Sequence, residues 1–191
     1  MERDGYRATA GTIVSITTRG GSDTLTLGGV SANSNVGIIN APKTSLTGIL
    51  DIAGTIQELV LLSVTNSNLA ASTFGSVIIQ GDVVDSNILA GTSFGANGAP
   101  GGGDDTFAAG KIKSLRVLGS VTSSLIAAGL NPVDGIYLNG NDVLISGGQI
   151  NAISITGTVS ADSHILASIL PRSAIITHVA VRTAADPRFA L

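Results

Sequence analysis

The chain has 191 residues and a net charge of −3, with 43% hydrophobic, 3% aromatic and 12% charged residues. The charged share is about half the ~25% of an ordinary globular domain, and the ten Lys and Arg stand singly, which argues against a nucleic-acid surface. The lack of cysteine excludes disulfides and thiolate metal sites, and no apolar run approaches the ~18 residues that span a membrane.

The apolar content is nearly all Ile, Leu, Val and Ala, which suits narrow, layered interiors of small and β-branched side chains. Twenty-five glycines, with many Ser, Thr and Asn, imply frequent tight turns. The opening MERDGYRATAG lacks the apolar core of a signal peptide. The chain therefore reads either as one that stays inside the cell or as a mature or excised piece of something larger.

In residues 1–55, TIVSITT (12–18), DTLTLGGVSANSNVGIINA (23–41) and SLTGILDIAG (45–54) all look like strands. The second fits the pattern described below with a deletion after Gly29, but the register fades here. This part is read as degenerate coils or a capping segment.

From residue 55 the chain repeats itself. TIQELVLLSVTNSNLAA (55–71), TFGSVIIQGDVVDSNILAG (73–91), KIKSLRVLGSVTSSLIAAG (111–129) and QINAISITGTVSADSHILA (149–167) align in columns. One column holds Ile56, Phe74, Ile112 and Ile150, and the next holds Leu59, Val77, Leu115 and Ile153. Leu61, Ile79, Val117 and Ile155 follow, then Val64, Val83, Val121 and Val159, then Ser67, Ser86, Ser124 and Ser163. Leu69, Ile88, Ile126 and Ile165 precede a last column of Ala71, Ala90, Ala128 and Ala167. Within each unit apolar residues alternate, the period of a half-buried strand.

Unit starts at 56, 74, 112 and 150 give steps of 18, 38 and 38, so two steps carry about twenty extra residues after the same Ala-Gly corner. The expected fold is all-β: a single-stranded parallel β-helix (β-solenoid) with coils of about 18 residues and two loop insertions, at 92–110 and 130–148. An up-and-down barrel or a sandwich is the alternative, but neither gives serine a reason to stay in register. Regular coils would run over 56–173 and a strand and tail over 174–191, all in one continuous solenoid domain.

Inserts in solenoids often mark the working face. Overlaid, these two match Asp104 to Asp142 and Gly110 to Gly148. Oxygen side chains among glycines can wrap a hard cation such as Ca²⁺. The candidate donors are Asp104, Asp105, Asp134, Asn139, Asn141 and Asp142. The competing reading makes these residues caps of loop amides in Asx-turns.

The serine column invites a catalytic reading, yet no His or acid recurs beside it; His164 and His178 occur in the last unit only. Inward corner hydroxyls bonded to backbone or to the next serine explain it better. Lys111, Lys113 and Arg116 alternate with Ile112 and Leu115 and are read as a solvated outer face. An enzyme would have to draw on Asp82, Asp85, Asp104, Asp105, Asp134 and Asp142, with Phe107 and Tyr137 as sugar platforms. The apolar segments GTIVSITT (11–18) and AIITHVAV (174–181), with no cap helix beside them, could pair between copies through Ile13, Val14 and Ile16 against Ile175, Ile176 and Val179.

The phrase I-x-S-L-x-V-x-G-x-V-x-x-S-x-I-x-A-G resembles the Gly/Ser/Thr-rich β-strand repeats of very large bacterial surface proteins, near the C-terminal end of the array. VDGIYLNGND (133–142) is similar to the acidic loops of those arrays, with Asn141-Asp142 in place of their acidic pair; the first insert keeps Asp104-Asp105 without an upstream Asp-Gly. RTAADPRFAL (182–191) resembles the tail that closes such arrays. The resemblance covers roughly 56–191 and implies an extracellular or cell-surface scaffold or adhesive role. The leading expectation is a non-enzymatic structural or adhesive solenoid that contacts copies of itself or a surface polysaccharide. The alternatives are a carbohydrate-active β-helix enzyme (polysaccharide lyase or hydrolase) and a calcium-dependent carbohydrate-binding module.

Overall fold

A computed structural model describes residues 11–17, 24–182 and 186–189. The fold is all-β. Short runs of β-branched and aliphatic residues, stopped by small polar residues and glycine, set the strands. Fourteen of them join one sheet, and every pairing in it is parallel except the last.

The chain opens with β1 (Ile13–Ser15) and β2 (Leu25–Ala32), both paired with the long β3 (Val36–Thr65). β2 runs alongside β3 from Leu25↔Thr44 to Ala32↔Ile52, and the register slips between Leu27 and Gly29, ahead of the position after Gly29 at which the sequence pattern implies a deletion. The early segments are therefore laid parallel against the next unit, as the later units are against one another.

Three later units show the plan. β4 (Asn68–Ile79), β5 (Val83–Val84) and β6 (Asn87–Ala90) lie beside β9 (Lys111–Val117), β10 (Val121–Thr122) and β11 (Leu125–Ala128). These in turn lie beside β14 (Gln149–Ile150), β15 (Ile153–Ile155) and β16 (His164–Ala167). The apolar columns of the sequence become rows of neighbours. Ile56, Phe74, Ile112 and Ile150 are in register, as are Val64, Val83, Val121 and Val159. All of these except Val159 are buried in one continuous core, and Val159 packs against it half-buried.

The serine column closes a corner of each unit. Ser67, Ser86, Ser124 and Ser163 are buried. The amide of Ser67 donates to Ser86 Oγ, that of Ser86 to Ser124 Oγ and that of Ser124 to Ser163 Oγ, each at 3.1 Å. The hydroxyls of Ser67, Ser86 and Ser124 donate to the carbonyl two residues back, at 2.6–2.8 Å. Each serine thus supplies an acceptor that the turn of the neighbouring unit lacks. Just before it, Asn66, Asp85 and Ser123 adopt φ of +47, +47 and +46°, a left-handed conformation that short polar side chains tolerate.

The far end corrects one expectation. Residues 174–181 are not one strand: β17 (Ser173–Ile176) pairs in parallel with β15, and β18 (Val179–Arg182) folds back on it antiparallel. Thr177 and His178, at φ +49 and +62°, make the two-residue turn whose twist suits a tight hairpin. Phe189, in the short 3-10 turn Pro187–Phe189, is buried in the core. This end carries a hairpin and a buried aromatic side chain, and among the described residues β18 pairs with β17 alone.

Removing a ladder hydroxyl tests this account. Ser124→Ala strands the buried amide of Ser86, a loss of about 1–3 kcal/mol for an unsatisfied buried donor. Urea denaturation should show that loss, whereas Ser123→Asn, which puts at this exposed left-handed position the residue type that Asn66 supplies in the first unit, should cost less. Equal costs would mean that the ladder bonds are not what holds the corner.

Candidate functional site

The two inserts leave the repeat at equivalent corners and return beside them. Gly91 and Gly129 turn the chain outward at φ +85 and +70°. Gly110 and Gly148 bring it back against the corner it left: a Cβ on Gly110 would lie 2.1 Å from the Ala90 carbonyl carbon, and one on Gly148 2.3 Å from the Ala128 oxygen. No other residue fits there. The first insert is pinned at its base by β7 (Thr92–Ser93) pairing with β8 (Thr106–Phe107), and the second by β12 (Leu130–Asn131) with β13 (Val143–Leu144). Because they start one unit apart, the inserts stand side by side.

They also cover an outer face of the sheet. Ala70, Leu89, Ala127 and Leu166 alternate with the inward residues of their strands yet are buried, in a second cluster with Phe94, Leu125 and Leu130. Tyr137 and Leu144 of the second insert pack on its edge. The sequence signal for this layer is that NILA, LIAA and HILA are apolar on both faces.

The inserts' carboxylates mostly hold their own loops. Asp104 Oδ2 accepts the amides of Ala96 and Asn97 at 2.8 and 3.0 Å. Asp105 Oδ2 accepts that of Gly101 at 2.6 Å, and Asp142 Oδ2 that of Leu138. Asp134 accepts the Ile136 amide at 3.0 Å and the Asn139 side-chain amide at 2.8 Å. The amide of Asn141 points to Asn139 Oδ1 at 3.4 Å. This is the loop-capping arrangement set against the Ca²⁺ reading, and among the described residues no three His, Asp or Glu gather as a metal-holding group. The Ile136 amide, followed by the amides of Asn141 and Asn139, keeps the Asp134 carboxyl below its usual range.

Between the inserts lies a cavity of about 370 Å³. Gly101, Gly102, Gly103, Asp105 and Phe107 line it from one side, and Asn131, Val133, Asp134 and Gly135 from the other. No family model, curated protein or solved structure matches the chain.

The remaining candidates are scattered. Asp82 Oδ1 accepts the amide of Ser120 one unit on, at 2.7 Å, and Asp85 sits in the left-handed turn described above. His164 is half-buried, in register with Leu125, and His178 is exposed in the terminal hairpin turn. Lys113 and Arg116 are exposed and Lys111 is half-buried, while Ile112 and Leu115 between them point inward. Of the expected assembly residues, Ile13 is 65% exposed, and Val14 and Ile16 pack half-buried against the core. Ile175 is 48% exposed, but Ile176 is only 3% exposed and belongs to the core, so it cannot serve as a contact surface. The side chain of Val179 lies outside the described residues.

One acid near the site escaped the sequence reading. Asp51 is an outward residue of β3, in register with Ala70, and is only 8% exposed. It accepts the amide of Phe94, and its Oδ1 has no partner. Burial raises its pKa, and the charge of Asp105 adds to the rise. A carboxyl raised in the fold destabilises the protein above its folded pKa, and that cost disappears below its unfolded value of about 3.9. Asp51→Asn keeps an oxygen for Phe94 and removes the charge. It should therefore raise the melting temperature at pH 7, with the gain vanishing as the pH falls below about 4. A lower melting temperature at pH 7 would show that the ionised form is the one stabilised.

Proposed function

We propose that the chain is a β-solenoid that acts as a structural and adhesive element of a bacterial cell surface. The observation that carries this reading is the register: seven residue columns, four units deep, each set beside the same column of the next unit. Such a body grows by adding units, is stiff along its stack, and presents its inserts in a row on one side. The resemblance to the repeats of large bacterial surface proteins supports the surface setting. An enzyme is less well supported, because the acids of the inserts are engaged with loop amides and Asp82 with a turn.

Self-contact follows from the same architecture. Among the described residues, β1 and β2 pair with β3 alone, which leaves their other edges without a strand, and Ile13 and Leu25 are exposed there. An edge of this kind is a template for another chain. β18 at the opposite end also pairs on one side only among the described residues, and the exposed Ile13 and Leu25 make the β1–β2 edge the surface assigned here to contact between copies. Light scattering and electron microscopy of the purified chain should show oligomers or fibres, and Ile13→Lys, a charge on the edge, should disperse them. A chain that stays monomeric at high concentration would remove self-association from the proposal.

A further inference from the structure

We propose that the cavity between the two inserts is a binding cleft for a neutral sugar unit of a surface glycan. The inference rests on the adhesive reading above and gives it a ligand class. The cavity belongs to neither insert alone: one wall comes from residues 101–107 and the other from 131–135, and each wall is anchored to its own repeat unit. At about 370 Å³ it falls in the range of small-ligand sites, which combine apolar walls with a few placed polar groups.

Its lining matches the surface of a pyranose. Phe107, half-buried, and Val133, 63% exposed, offer apolar wall to the C–H face of a ring. Asp105 is fixed by the Gly101 amide, and Asp134 by the Ile136 amide and the Asn139 side-chain amide; the exposed Asp134 keeps lone pairs for hydroxyl donors. Asn131 adds a side-chain amide that both donates and accepts. Gly101, Gly102 and Gly103, at φ +88, +88 and +83°, put bare backbone on one wall, and a Cβ on Gly101 or Gly103 would meet no atom within 4 Å.

Charge narrows the ligand further. Both ionisable groups of the lining are acids, and among the described residues no Lys, Arg or His lines the cavity. Uronic acids, sulfated sugars and phosphates would meet like charge in a partly desolvated cleft. Neutral hexoses do not, and their hydroxyls are donors that suit the exposed Asp134 carboxylate and the Asn131 side-chain oxygen.

The test titrates the full chain, by calorimetry and by chemical-shift mapping, with maltohexaose, cellohexaose, mannohexaose and chitohexaose, and with oligogalacturonate and heparin hexasaccharide. At least one neutral oligosaccharide should bind with submillimolar affinity while the two anionic ones do not. Phe107→Ala and Val133→Asp should each weaken binding at least tenfold, and Lys113→Ala, on the outer face, should leave it unchanged. Val133 is exposed, so its variant should keep the wild-type melting temperature and reports on the cleft even if Phe107→Ala loosens the loop. Absence of binding by every neutral probe at millimolar concentration, tighter binding of the anionic probes, or unchanged affinity in Val133→Asp would overturn the proposal. If the chain forms fibres and yet binds no neutral sugar, the glycan inference fails while the structural reading stands. If it binds but stays monomeric, the glycan inference stands and only self-association falls.

Discussion

Everything in this protein hangs on parallel backbone pairing between one repeat unit and the next. An extended strand cannot satisfy its own amides and carbonyls, so each unit looks to its two neighbours for partners. Once that pairing is set, residue columns must match, because the displacement from one unit to the next carries each side chain onto its counterpart. Phe74 falls on Ile112 and Ala90 on Ala128, and the interior fills with stacked aliphatic rows. Small residues stay where the wall bends, and serine stays where the turn leaves an amide without a strand partner.

The same constraint explains how twenty extra residues can be added without disturbing the stack. Each insert leaves and rejoins the wall at one point, and the glycine that closes it lies against the alanine before the exit. The unit that follows therefore begins in register, with Lys111 beside Thr73 and Gln149 beside Lys111. Freed from pairing with the stack, the inserts can carry polar chemistry. Their carboxylates fold the loops by accepting amides, and their apolar residues Phe94, Leu130 and Leu144 dock the loops onto the wall. Asp51 shows the cost of docking. It is an outward residue that would be solvated on a bare wall, but the first insert covers it and holds it through the Phe94 amide, with the Asp105 charge nearby.

Much of this was legible in the sequence, and for a local reason. Alternation with period two tells which side chains face the same way, and a fixed spacing between like phrases tells which of them become neighbours. Ile56, Phe74, Ile112 and Ile150, the valine row and the serine row needed nothing more, and the matching of Gly110 with Gly148 rested on the same spacing. The blurred register before residue 55 was harder to read, because the slip between Leu27 and Gly29 breaks the count that the alignment depends on.

Other features depended on contacts that no spacing encodes. Alternation marks Ala70, Leu89, Ala127 and Leu166 as outward, but whether an outward residue meets water or a folded insert depends on where a twenty-residue loop comes to rest. The approach of Asp105 to Asp51, more than fifty positions apart in the numbering, follows from that docking and from nothing local. Thr177 and His178 carry no glycine or asparagine to announce a turn, so the split of 174–181 into a hairpin, with Ile176 turned into the core, was decided by packing at the end of the stack. By itself the sequence determined the unit, its inward face and its register, because these follow from backbone geometry repeated along the chain. Tertiary structure decided what covers the outer face and how the stack ends, because burial there is set by surfaces that meet only after the units have stacked.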